Sequence, residues 1–293
     1  MEAFHTLCTN RRYDTPELTD AEILVMIISA LEWKKHNGRI KLLTDNKGYN
    51  FIKKLGIEFI WNSCSSSLEA FHNQNLNEDV FWAAPKLYAL KTFNAPCVMI
   101  DLDFIVWKKI KWDDIDTDLM TIHREDVNNS VYPNQNFFDE NMRERYSSLD
   151  WNIRACNTSF AFFNDENLLE KYVDEAFYFM RNVKIHDPVA DYGGLPYMVF
   201  AEQRLLPMIA EKQAARISSF ADLDWLFSEQ NEIFSHIWGY KKYLKDNQKA
   251  HQQFCVDCVE RIAYEFPDVY ALLKVHSWFA RYIAQKIYKG EDL

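Results

Sequence analysis

The hydrophobic and polar positions of this chain alternate between two periods. Ala3 to Leu7 is a short apolar strand, followed by a polar loop with Asn10, Arg11 and Arg12. Thr19 or Asp20 then caps a helix whose apolar positions run from Ile23 to Trp33 and which ends near Gly38. Arg39 to Thr44 reads as a second strand, Asp45-Asn46 as a turn and Tyr49 to Leu55 as a short helix. Ile57 to Trp61 is expected as a third strand, Cys64 to Ser67 as a loop, and Asp79 to Phe93 as a helix. That helix leads into Val98-Met-Ile-Asp-Leu-Asp-Phe-Ile-Val106, an apolar run with the composition of a buried central strand. Strands that alternate with helices predict a mostly parallel sheet, whose ligands bind at the carboxyl ends of the strands.

Asp101 and Asp103 interrupt that run with one residue between them. The period of 2 sets both on one face, and a strand carrying two carboxylates ends at water, at a cation or at both. Hard divalent ions such as Mg2+ and Mn2+ favour such oxygen ligands. The plain alternative is a strand end whose acids cap the next turn.

Further along, Leu119 to His123 reads as a strand, and Asn128 to Asn141, which holds Tyr132, Pro133 and Phe137, as a plain surface loop, with a loop that meets a hydroxylated ligand as the alternative. Cys156 to Phe163 is another buried strand, opened by polar Asn157 and Ser159. A helix capped by Asn164 or Asp165 follows, and later a helical stretch contains Glu202-Gln-Arg-Leu-Leu206. From Asn247 onward the pattern is helical, with aromatic stripes that suit packing.

Composition narrows the function classes. The chain has 293 residues, 15% of them aromatic, which is enough to bury a large core and rules out a disordered protein. A net charge of −10 with interspersed signs disfavours a nucleic-acid partner. The start Met1-Glu-Ala-Phe-His lacks the pattern of a secretory signal, and the longest apolar run, Ile23 to Leu31, is too short to span a bilayer. A cytoplasmic protein is expected, able to work beside a membrane. The six cysteines show no framework spacing and are expected reduced; Cys255 and Cys258 form a lone CxxC within a helical pattern. No G-x-G-x-x-G or Walker A sequence is present, so phosphates would have to be met by another device, such as a carboxylate-bound metal.

Four pieces in order carry a resemblance. They are Pro85-Lys86 with the helix that runs into Asp101-Leu-Asp103, then Asn157-Thr-Ser159, then Glu202-Gln203, then His236-Ile-Trp-Gly239-Tyr-Lys241. Together they resemble the GT-A glycosyltransferases, and within them the glycogenin-like, retaining, nucleotide-sugar-dependent family, over roughly residues 1 to 245. The resemblance implies a GT-A type α/β fold, with a mostly parallel central sheet flanked by helices. Residues 1–245 would be the catalytic domain and 246–293 a helical C-terminal extension packed on it. It implies a metal-dependent transferase that moves a sugar, from a UDP-sugar by preference, to a saccharide or glycoconjugate acceptor. In the family the two D-x-D carboxylates and the motif histidine hold Mn2+, which here would be Asp101, Asp103 and His236 with Mn2+ or Mg2+. An O,O,N donor set suits either ion.

By the same resemblance Lys86, Asp101, Gly239 and Lys241 contact the donor, Glu202 and Gln203 carry the catalytic element, and Asn157, Ser159 and Trp238 meet the substrate. Uridine contacts are placed by topology near Thr6 to Thr9 and at Asp45. Three departures stand out: no glycine at the third position of Asn157-Thr-Ser159, which Phe160 follows, Lys242-Tyr243 in place of Pro-Trp, and Glu202 in place of aspartate. Two rival readings remain. One is a catalytically silent GT-A-like module that binds a sugar nucleotide. The other is a haloacid-dehalogenase-type phosphatase, whose first motif is also a D-x-D, although Ile105 and the late position of this strand disfavour it.

Overall fold

The computed structural model describes residues 1–127, 131–186, 194–220 and 232–289, with side chains to residue 283 in the last helix. A seven-stranded sheet forms the centre, in the order β10-β6-β9-β4-β1-β2-β3. Its strands are β1 (Glu2–Leu7), β2 (Arg39–Thr44), β3 (Ser63–Ser65), β4 (Cys97–Ile100), β6 (Leu119–Thr121), β9 (Phe160–Phe163) and β10 (Ile217–Ser219). All neighbouring pairs are parallel except those of β9, which runs antiparallel to both β4 and β6. The expected mostly parallel sheet flanked by helices is therefore what the chain forms.

The strand period of 2 divides each central strand between two apolar layers. Ala3 and Leu7 of β1, Val98 and Ile100 of β4, and Phe160 and Phe162 of β9 face one layer. Phe4, Cys97, Met99, Ala161 and Phe163 face the other. Helix α1 (Asp20–His36) belongs to the first layer and is buried almost continuously from Ala21 to Trp33. Such a helix needs cover on both sides. It packs against β5 (Phe104–Val106) and against α9 (Gln248–Glu265). Its start is set by a capping box, in which Thr19 Oγ1 accepts from Glu22 N while the Glu22 carboxylate accepts from Thr19 N.

The second layer gathers α3 (Ala84–Leu90), α5 (Glu166–Asn182), α6 (Leu195–Val199) and α7 (Leu205–Lys212). The remaining α-helices among the described residues are α2 (Asn46–Leu55), α4 (Glu140–Arg145), α8 (Tyr240–Asp246), α10 (Pro267–Leu273) and α11 (Ser277–Lys289). The helical C-terminal region thus packs on α1, with Cys255 and Cys258 buried in the shared core. Burial raises both thiols, to about 11 and about 12, so neither is a ready thiolate. Among the described residues, no helix is long and apolar enough to cross a membrane.

Four expected elements come out differently. Ile57 to Trp61 is not a strand: Glu58–Ile60 forms a 3-10 turn, and the third strand is the polar Ser63–Ser65. An edge strand needs backbone pairing to one neighbour and no apolar face, so hydrophobicity pointed a few residues too early. The helix expected from Asp79 begins only at Ala84, because Pro85 favours the first turn of a helix and cannot stand inside one. The run Val98 to Val106 breaks at the aspartates into β4 and β5, and β5 leaves the sheet to pair antiparallel with β11 (Phe234–His236). Cys156 to Phe163 likewise breaks at Asn157–Ser159, into β8 (Ala155–Cys156) and β9, and β8 pairs with β7 (Arg124–Glu125).

Candidate active site

Both chain breaks have the same consequence. They release polar residues at one end of the sheet, at the carboxyl end of β4 and the start of β9. Backbone bonds hold the junction: Asp101 N donates to Ser159 O at 2.8 Å and Phe104 N to Asp101 O at 3.1 Å. On the other side, the β5–β11 register sets His236 opposite Phe104, and Ile237 N donates to Asp103 O at 3.2 Å. A residue 133 positions later in the chain is thereby brought to the D-x-D turn.

The ligand atoms of Asp101, Asp103 and His236 lie within 4.8 Å of one another. His236 Nε2 is 3.5 Å from Asp103 Oδ2, and the imidazole stands edge-on to the Phe104 ring at 5.7 Å. Lys241 Nζ sits 2.8 Å from Asp103 Oδ2 and 3.5 Å from Glu22 Oε1. Burial by itself would raise the Asp103 carboxyl; hydrogen bonds and charge from His236 and Lys241 override it and hold the group well below the usual carboxylate range. Burial also works against the Lys86 ammonium, but Asp101 and Glu202 keep it firmly charged. Lys86 Nζ donates to Asp101 Oδ1 at 2.9 Å and also pairs with Glu202 Oε1.

Glu202 and Gln203 lie in a π-helical turn, Phe200–Arg204, between α6 and α7. A turn of this kind carries one extra residue and is frequent at functional sites. It directs Glu202 to Lys86 and to the Thr158 hydroxyl, which donates to Glu202 Oε1 at 2.7 Å, while Tyr172 OH donates to the Glu202 carbonyl at 2.9 Å. Gln203 Oε1 is 2.8 Å from Tyr132 OH, which is also 2.7 Å from Glu125 Oε2. One hydroxyl proton serves one of these two contacts.

Glu125 and Tyr172 are residues of this network that the sequence did not point to. Tyr132 lies in the stretch expected as a surface loop, yet it is 1% exposed; residues 128–130 of that stretch lie outside the described residues. Glu125 receives Asn157 Nδ2 at 3.1 Å and lies 2.9 Å from His123 Nε2. Burial raises the Glu125 carboxyl, but hydrogen bonds from His123, Tyr132 and Asn157 outweigh it and bring it down to about 2. The available signal was the polar run His123-Arg-Glu-Asp126, directly after the carboxyl end of β6.

The other expected site residues separate into two groups. Asn157 and Ser159 are present at the junction, although Asn157 is occupied with Glu125 and with Ser159 N, and Ser159 meets Asp101 through its carbonyl. Trp238 is 75% exposed at the turn before α8, and a Cβ on Gly239 would meet no atom within 4 Å. Thr6 and Asp45 belong to the neighbouring part of the sheet, Thr6 on the strand that pairs directly with β4. Thr6 is in β1, paired in register with Leu43. Asp45 directly follows β2, two strands from β4, and is 1% exposed, with Oδ1 accepting from Gly48 N at 2.9 Å as the cap of α2. That carboxylate is turned into the protein.

Among solved structures the chain is similar to PaToxG glycosyltransferase, with TM-score 0.41 and 11% identity over 72% of this chain and 69% of that one. It is similar to mouse xyloside xylosyltransferase 1 in its apo form, with TM-score 0.42 and 8% identity over 75% of this chain and 85% of that one. It is also similar to the galactosyltransferase LgtC in complex with donor and acceptor sugar analogues, with TM-score 0.38 and 10% identity over 68% of this chain and 69% of that one. No curated protein sequence matches it. The model of one family covers residues 19–275, a span that takes in the whole constellation from Lys86 to Lys241, and the chain belongs to that family, the family of unknown function DUF6734.

Proposed function

We propose that this chain is a metal-dependent glycosyltransferase of GT-A type that moves a sugar from a nucleotide-sugar donor, UDP-linked by preference, to a saccharide or glycoconjugate acceptor. One observation carries the reading: Asp101, Asp103 and His236 converge within 4.8 Å from two distant parts of the chain, with Lys241 on Asp103 and Lys86 on Asp101. Two carboxylates and an imidazole fit Mn2+ or Mg2+. The ion, when bound there, would act as a Lewis acid that stabilises the negative charge of a departing diphosphate.

The chain's own residues supply the rest. Lys241 balances Asp103, and with a cation held by the carboxylates its ammonium would be free to meet phosphate oxygens. Gly239, with open space where a Cβ would stand, leaves room for a phosphate beside the backbone. Lys86 holds Asp101 and Glu202 at fixed positions. The Glu202 carboxylate and the Gln203 amide, set by the π turn, are the groups assigned to the reacting sugar carbon. Asn157, Ser159 and exposed Trp238 are assigned to the acceptor side.

The test is a panel of nucleotide-sugars with and without Mn2+, with hydrolysis and nucleoside diphosphate binding measured on the purified protein and on Asp103→Ala. Metal-dependent binding and turnover, both lost in the variant, are expected. Binding without turnover on any acceptor would instead indicate a silent module. Absence of any Mn2+-dependent nucleotide binding would overturn the reading.

A further inference from the structure

A second convergence lies at the carboxyl ends of β1 and β2. Cys8 directly follows β1, Asp45 directly follows β2, and His72 comes from the 3-10 segment Ser67–Gln74. Their ligand atoms also lie within 4.8 Å of one another. His72 Nε2 is 3.9 Å from Cys8 Sγ and 3.6 Å from Asp45 Oδ2. For tetrahedral zinc with ordinary Zn–S, Zn–N and Zn–O lengths, those separations would be roughly 3.6 Å and 3.4 Å. Shifts of a few tenths of an ångström would complete the geometry.

Two independent features mark the cluster as more than a helix cap. As a cap, Asp45 needs only Oδ1, which accepts from Gly48 N and from Thr9 Oγ1. Oδ2 is buried, makes no hydrogen bond, and is directed toward His72 at a separation too long for one. A buried carboxylate oxygen left in this way is costly without a cation. His72, for its part, has Nδ1 2.9 Å from Glu78 Oε1. A carboxylate behind a histidine is the usual means of fixing the ring so that its other nitrogen faces a metal. The carboxylates of Asp45 and Glu78 both stand against the His72 ring, 3.6 and 2.9 Å from its nitrogens, a negative setting that favours a dication.

We propose that Cys8, Asp45 and His72 form a second metal site, which takes Zn2+. A thiolate, an imidazole and a carboxylate select Zn2+ over the Mn2+ or Mg2+ suited to the D-x-D site. Coordination replaces the thiol proton, which leaves to solvent. Glu78 is the positioning residue behind His72. In this arrangement Asp45 serves a metal and not a nucleoside. His72 and Cys8 are only partly buried, so a fourth position can open to water.

Cobalt(II), titrated into the purified full chain, is the probe. The expected result is a thiolate-to-cobalt charge-transfer absorption that saturates at one equivalent, is abolished in Cys8→Ser and persists in Asp103→Ala. Zn2+ affinity, measured by competition with a chromophoric chelator, should fall about 10- to 100-fold in Glu78→Gln. No charge-transfer band in the wild-type chain, a band retained in Cys8→Ser, or Zn2+ affinity unchanged in Glu78→Gln would each overturn the assignment. These outcomes do not depend on nucleotide binding or turnover, so they separate this site from the proposed transferase reaction.

Discussion

The clusters around Asp103 and around Asp45 sit on the same edge of one sheet and handle buried negative charge in opposite ways. At the D-x-D turn each carboxylate has an ammonium on it, Lys86 on Asp101 and Lys241 on Asp103. At the end of β2 the Asp45 carboxylate has an imidazole at 3.6 Å and one oxygen without a hydrogen bond. The difference separates two kinds of site. Where counter-charges come from long flexible side chains, as proposed for the first site, Asp101 and Asp103 would be left to a cation and Lys241 would be free to meet a phosphate. Where the ligands are short side chains, two directly after strands and one on a 3-10 segment, the geometry is set beforehand and suits an ion that stays.

The largest expected effect breaks the first site alone. Asp103→Ala should lower metal-dependent turnover by at least about 10^3-fold, roughly 4 kcal/mol of transition-state stabilisation. Cobalt-thiolate absorption should stay intact, and steady-state kinetics beside a cobalt titration reads both.

Next comes a test of the scaffold shared by the two clusters, β1, through His5. Trp61 Nε1 donates to His5 Nδ1 at 3.2 Å, and Ser29, whose hydroxyl donates to the Phe104 carbonyl, lies 3.2 Å from His5 Nε2. The neutral ring is thus fully paired, with its proton on Nε2. Burial, only partly offset by Asp103, pushes the His5 pKa down from 6.5 to about 3. The unfolded chain therefore binds one more proton than the folded chain between those values, and stability should fall as pH drops through that window. The loss from this group should reach about 3 kcal/mol near pH 4, and it should be missing in His5→Gln. Denaturant titrations at a series of pH values check it.

Lys86→Met should cost a similar amount, about 3 kcal/mol, because it strands Glu202 and Asp101 without their shared counter-charge. Thermal unfolding in metal-free buffer measures it, and added Mn2+ should restore part of the loss. The smallest effect sharpens the second site. Glu78→Gln should weaken Zn2+ by about one to two powers of ten and leave Mn2+-dependent nucleotide binding as it was.

Much of the scaffold was legible along the chain because its signals are local. Thr19 and Glu22 mark a helix start by their own hydrogen bonds, Asp165 caps α5 as expected, and β1 and β2 lie where the apolar pattern puts them. The polar strand Ser63–Ser65 could not be read in this way, since its partner β2 and not its composition makes it a strand. The same limit applied to Tyr132 and Glu125, which became site residues only when Gln203 and Asn157 were folded against them.

By itself the sequence determined the alternation of strands and helices, the two aspartates at the end of a buried run, and the residue types and order of the motifs from Lys86 to Lys241. These follow from periodicity and chemistry that neighbouring residues carry. Tertiary structure decided the rest. It broke the D-x-D run so that β5 could leave the sheet and meet β11, which is what sets His236 beside Asp103. It also turned Asp45 inward against His72 and Cys8, 27 and 37 residues away in the chain. Side-chain direction at a strand end depends on which element packs over it, and that contact is made across the fold, by residues distant in the chain.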